Sequence, residues 1–278
     1  MTENEADSAA IDIEVLVHSI EARMSQDQFM SPNCCIFKTP TILRELNKKA
    51  YVPDAFSIGP FHHGRPEFED TEKIKSKYLQ GLISRSRSKE TILRDLINSV
   101  KHVEREAREC YSGSIGYSSD EFVKILVIDG CFVIELLRKM GDEKLIEGDD
   151  PVFAMACMMV FLFHDLILLE NQVPWMVLER LFDMTVDHSH PTDNIPLVEL
   201  GKIFLHFTFF TGRPFDYPLI QDTKHIVDLY RKMSVSSFAG EKGQLGSDWT
   251  LLPSATSLVE AGVKIKEGES RSILDIKI

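Results

Sequence analysis

Glu170, Asn171 and Gln172, lying between the apolar residues Leu166–Leu169 and Pro174, form the stretch whose residue types best suit chemistry. A carboxyl group enclosed by apolar chain is pushed toward its neutral form and can serve as an acid or base near neutral pH. Such a pocket would need a histidine, and His62 or His164 could supply it. The same side chains could instead satisfy the backbone amides and carbonyls exposed where a helix breaks. This structural role is the expected one, because structural networks perturb pKa values as readily as catalytic ones do. A second candidate is His188-x-His190 with Asp187 and Asp193, two imidazoles and two carboxylates in one loop, which are ligand types suited to a transition metal. Nothing in the pattern supplies partners to orient those rings, so a solvated loop is expected. His62 and His63 are adjacent and would point apart in a loop, which favours packing or capping. Cys34-Cys35 lacks two further ligands nearby. No Gly-x-Ser-x-Gly elbow, Gly-x-x-x-x-Gly-Lys loop or His-Glu-x-x-His pair occurs. No catalytic residue, metal or cofactor is therefore expected.

Elements of helical character must position these residues. The run from Val152 to Leu169, opened by Asp150 and Pro151, is too apolar to be amphipathic and is expected to be a buried core helix. Pro174 forbids its simple continuation, so it should stop or kink at Glu170–Val173 before a second helix through Phe182. Apolar residues at helical spacing predict an amphipathic helix within 9–24, carrying Ile13, Leu16, Val17, Ile20 and Met24. Helices over 66–84 and 88–110 should form a hairpin. A third long helix follows, with Ser118 and Glu121 as a capping box and Gly141 as its stop. Asp129-Gly130 interrupts its apolar surface, and a mid-helix glycine costs about 1 kcal/mol against alanine, so close packing at Gly130 is expected. Phe56 to Pro66, with Gly59, Pro60, His62, His63 and Gly64, reads as a structured loop. Further helices are expected from Pro196, from Asp222 and over 254–261, with a β-hairpin over 263–278.

These elements predict a mainly α, multi-helix globular domain with a small β-hairpin near the C-terminus. The expected organisation is an acidic tail and first helix over 1–30, a helical core over 31–233, a linker over 234–252, and a helix plus incomplete hairpin over 253–278. The 278 residues carry a net charge of −12, which argues against nucleic acid or an anionic membrane as partner. Lys73 to Arg108 is locally basic, and interspersed acids make a solvated face the expected reading. Five cysteines without a CxxC pair, of which Cys131 and Cys157 read as small core residues, fit a reducing compartment. The longest apolar run falls short of the roughly 18 residues that raise a spanning helix, so a cytoplasmic chain is expected. The outer edge of the C-terminal strand predicts self-association.

Four blocks, Ser57–Gly64, Ile128–Leu136, Asp165–Leu178 and Ser254–Lys264, resemble signatures of the plant domain-of-unknown-function 247 family. The resemblance implies a mostly helical domain without an established enzymatic activity, with some members associated with pollen self-recognition and flower sex. It also implies a continuation past Leu274–Lys277 that ends in a membrane-spanning helix and anchors longer members. That continuation is absent here, so this chain reads as a short or truncated form. The function expected from residues and resemblance together is a non-enzymatic module that recognises another protein; the alternative is an enzyme with an acid–base pocket around Glu170–Gln172.

Overall fold

The computed structural model describes residues 13–21, 31–86, 88–186, 194–210, 215–238 and 254–264. Helices account for its regular structure. Residues 13–21 form α1. It is followed by α2 (Thr41–Leu46), α3 (Glu69–Arg85), α4 (Ile92–His102), α5 (Glu104–Glu109), α6 (Ser119–Gly141) and α7 (Pro151–Ala154). Then come α8 (Ala156–Leu166), α9 (Trp175–Thr185), α10 (Leu197–Phe209), α11 (Ile226–Phe238) and α12 (Ala255–Glu260).

The axis of the fold is α6. Ser118 caps it by accepting the Glu121 N–H at 3.3 Å, and its side chains are buried almost continuously from Phe122 to Lys139. An all-round apolar helix must be enclosed by neighbours, and α3, α4, α9 and α10 pack around it. Gly130 shows why α9 can come so close: a Cβ there would run into Leu181 Cδ1 and lie 3.7 Å from Leu178 Cδ2. Trp175, Val177, Leu178, Leu181 and Phe182 of α9 are buried.

Several expectations need correction. The run over 152–169 is not one core helix. It breaks at Met155, whose extended backbone separates α7 from α8, and α8 buries only Leu162, Asp165 and Leu166. Val160 stands 64% exposed; hydropathy reports how apolar a segment is, not which of its faces finds a neighbour. Cys157 is exposed for the same reason, while Cys131 is buried. The helix expected over 88–110 breaks at Val103 into α4 and α5. The arms of the expected hairpin, α3 and α4, each rest on α6. Between them lies an apolar groove of about 430 Å³. Lys75, expected on a solvated face, is fully buried.

The expected C-terminal hairpin is not found. Val263 and Lys264 lie in no strand, and 265–278, which would hold the rest of it, fall outside the described residues. Val263 is 47% exposed. Among the described residues there is no named strand, and β pairing is limited to an isolated parallel bridge between Ile36 and Tyr111. The expected linker begins inside α11, which continues to Phe238. Among the described residues no helix is long and apolar enough to cross a membrane.

Candidate functional site

The polar residues of three separate stretches meet around one loop, residues 54–64. At the end of α8, Asp165 accepts three consecutive backbone N–H groups, from Asp54 at 2.7 Å, Ala55 at 2.9 Å and Phe56 at 2.7 Å. Two turns of irregular chain later, Asn171 grips the next part of the loop. Its Oδ1 accepts the Ile58 N–H at 2.7 Å, and its Nδ2 donates to Phe56 O at 2.8 Å and Asp165 O at 3.0 Å. From the middle of α6, Asp129 accepts the Gly59 N–H at 2.7 Å and the Lys75 ammonium at 2.6 Å. Lys75 also donates to Ser57 O at 2.5 Å and pairs with Glu72 at 2.5 Å. Backbone groups of a loop buried this deeply would be costly without partners, and these side chains supply them.

Gln172 ties the break itself together. Its Nε2 donates at 2.7 Å to Leu166 O, left over where α8 ends, and at 2.8 Å to Leu168 O, which also accepts the Asn171 N–H. Its backbone carbonyl accepts the Tyr111 hydroxyl at 2.9 Å. A Cβ at Gly59 would collide with that same carbonyl, and Gly59 has φ of +75°, so glycine is required there twice over. Gly64 likewise sits at φ +77° where the loop turns out toward solvent, and Pro60 is buried beside Gly59. Pro174 caps α9, accepting the Val177 N–H at 2.9 Å.

Glu170 faces another way. Its Oε1 accepts the Thr39 N–H and the Arg44 guanidinium, while Oε2 lies 3.5 Å from His62 Nε2. Burial opposes ionisation of Glu170, but the hydrogen bonds from Arg44 and Thr39 outweigh it and hold the carboxyl below its ordinary range. Burial, helped by Arg65, pushes His62 down to about 4. For Asp129 and Asp165 burial prevails and the carboxyl pKa values are raised, despite Lys75 beside the first and the three loop amides on the second. His63 stays near the surface, 4.0 Å from Glu121, with its carbonyl accepting the Tyr117 hydroxyl at 3.0 Å.

The structure thus gathers Gly59, Pro60, His62, Asp129, Asp165, Glu170, Asn171 and Gln172, leaves His63 and Gly64 at the margin, and brings Glu170 to His62 and not to His164. Gly130 serves the α6–α9 contact instead. His188 and His190 lie outside the described residues. Among the described residues, the trio of metal-ligating side chains is Asp54, His164 and Asp165. His164 Nδ1 is 3.1 Å from Asp54 Oδ2 and 3.4 Å from Asp165 Oδ1. Both contacts use one nitrogen, and both Asp165 oxygens already accept backbone N–H groups, so the arrangement is that of a hydrogen-bonded group.

Sequence reasoning missed Lys75, the buried cation opposite Asp129. Its signal was its position: Thr71, Lys75, Tyr78 and Leu82 recur at helical spacing on the buried face of α3. It also missed a second polar cluster further along α6, where Asp150 accepts Tyr78 OH at 2.8 Å and Lys139 Nζ at 2.5 Å while capping α7 through the Val152 N–H at 3.0 Å.

A family model described as a plant protein of unknown function, DUF247, matches residues 36–278. Over 151 residues the chain is 34% identical to the UPF0481 protein At3g47200 of Arabidopsis thaliana, covering 54% of this chain and 31% of that protein. A second UPF0481 protein of the same plant, At3g02645, is 23% identical over 228 residues, covering 81% of this chain and 42% of that protein. The matches thus span less than half the length of either relative. No solved structure matches. The chain belongs to the plant domain-of-unknown-function 247 family.

Proposed function

We propose that this domain recognises another protein through the groove between α3, α4 and α6, and that its buried polar junction is architectural and not catalytic. The groove carries the reading. Leu93 and Ile97 stand 42% and 40% exposed on it, beside Val123 and Val127 of α6, with Lys101, Asp120 and Lys124 at the rim. An apolar cleft between helices with basic groups at its edge fits an amphipathic helix whose flanks are acidic. The occupancy of the junction supports the same reading: Asp129, Asp165 and Asn171 are engaged with the backbone of one loop, an arrangement that fixes a fold. The family resemblance supports reproductive tissue, in pollen self-recognition or flower sex, as the setting.

The acid–base alternative has one observation in its favour, the approach of His62 to Glu170 at 3.5 Å. Both residues are buried, and neither lines the groove or the cavity of about 1030 Å³ beside α10. Affinity capture from flower and leaf extracts tests the choice. The full chain should retain a protein that a Leu93→Asp, Ile97→Asp variant of equal helicity loses. Identical capture by both chains, or none by either and none by a chain whose groove is uncovered, would sink the groove reading.

A further inference from the structure

Helix α1 presents an exposed apolar stripe. Ile13, Leu16, Val17 and Ile20 recur at i, i+3, i+4 and i+7 and are between 44% and 61% exposed. Projected at 100° per residue, Glu14 and Glu21 both fall along one edge of that stripe. Every described residue of α1 is exposed, so its apolar side chains gain by packing on a surface. The groove described above offers the complement: apolar walls at Leu93, Ile97, Val123 and Val127, and the ammonium groups of Lys101 and Lys124 at the rim. Those lysines pair with Asp120 at 3.7 Å and Glu121 at 3.5 Å. Both pairs are solvent-exposed and are worth little, so an incoming carboxylate can replace them.

The tether is long enough. Asn33 Nδ2 donates to Glu109 Oε2 at 3.2 Å, which fixes the chain after residue 31 at the end of α5. Ile97 lies twelve residues before Glu109, at most about 18 Å away along α4 and α5 at 1.5 Å per residue. The ten residue steps from Glu21 to Ser31 can extend to about 33 Å.

We propose that α1 is the groove's own occupant: a helix-in-groove contact within one chain, with Ile13, Leu16, Val17 and Ile20 covering Leu93 and Ile97, and Glu14 and Glu21 facing Lys101 and Lys124. An acidic amphipathic helix of a partner would have to displace it. That second half rests on the recognition reading above, whereas the contact within the chain does not.

A photo-crosslinking residue in place of Ser19, which flanks the stripe on the side away from the acids, tests this in the full chain. Mixing isotopically light and heavy protein separates crosslinks within a chain from those between chains. Crosslinks within a chain to 93–101 or 123–128 are expected. Their yield should fall roughly tenfold or more in a Leu93→Asp, Ile97→Asp background, the loss given by uncovering two large apolar side chains. Crosslinks between light and heavy chains, to other regions, or of unchanged yield in that background would overturn the contact. A Leu16→Asp, Val17→Asp chain, altered outside the core, then separates the two proposals. If crosslinks map elsewhere while partner capture still depends on Leu93 and Ile97, the contact within the chain is wrong and recognition stands. If crosslinks map to the groove and the released groove captures nothing, recognition is wrong and the contact stands.

Discussion

Replacing Asn171 with leucine probes the polar junction most directly, since the two side chains are similar in size and Asn171 is fully buried. Leucine would leave the Ile58 N–H, now bonded at 2.7 Å, without an acceptor, and Phe56 O, now accepting at 2.8 Å, without this donor. Asp165 O loses less, because it also accepts the Leu168 N–H at 3.3 Å. Each buried group left unsatisfied costs about 1–3 kcal/mol, so two of them should cost about 2–6 kcal/mol against a total stability of about 5–15 kcal/mol. At about 2–4 °C per kcal/mol for a chain of this size, Tm should fall by roughly 4–24 °C. Thermal melts followed by circular dichroism, with urea titrations to check that the m-value is unchanged, measure this. Asn47→Leu is the control, because Asn47 is exposed and makes no capping side-chain hydrogen bond, and its change should stay within about 0.5 kcal/mol. Equal melting of the Asn171 variant and the wild type would show that the loop over 54–64 is not held as described.

Lys75→Met should destabilise by about 3–5 kcal/mol in urea titrations, since it strands Asp129 as a buried charge; adding Asp129→Asn should recover part of that loss, and a variant more stable than wild type would contradict the pairing. Gly130→Ala gains about 1 kcal/mol of helix propensity but forces Leu181 aside. Overpacking at about 1–3 kcal/mol should leave it neutral to destabilised, and clear stabilisation would mean that α9 crosses elsewhere. For pH, the folded pKa of His62 is depressed from 6.5 to about 4, so the unfolded chain binds more protons in that interval and stability falls as pH drops from 6.5 toward 4. His62→Gln should flatten that fall in a series of urea titrations at stepped pH, and parallel curves would refute it. Glu170, depressed below its ordinary range, contributes stability above its unfolded pKa that is lost as pH falls through the lower folded value. Glu170→Gln should therefore differ from wild type at neutral pH and converge with it in acid.

Periodicity and breakers made much of this architecture legible. The Ser118 cap, the stop at Gly141, the Pro174 break and the special place of Gly130 are local or nearly local matters of backbone geometry and spacing, and a linear chain displays them. The stretch Glu170–Gln172 stood out because polar residues between apolar runs must find hydrogen bonds somewhere. What the chain did not display was where. Asp165 meets Asp54, Ala55 and Phe56 from about 110 positions away, and Lys75 reaches Asp129 across 54. An interaction between side chains so distant is decided by which helices share a face, and spacing within one helix contains no term for it. The same limit explains the misread core. The 152–169 run is the more apolar segment, yet α6 became the axis because it alone is covered by α3, α4, α9 and α10 together. Burial is a property of neighbours, so tertiary packing decided it, and it also left the groove between α3 and α4 open on one side of α6.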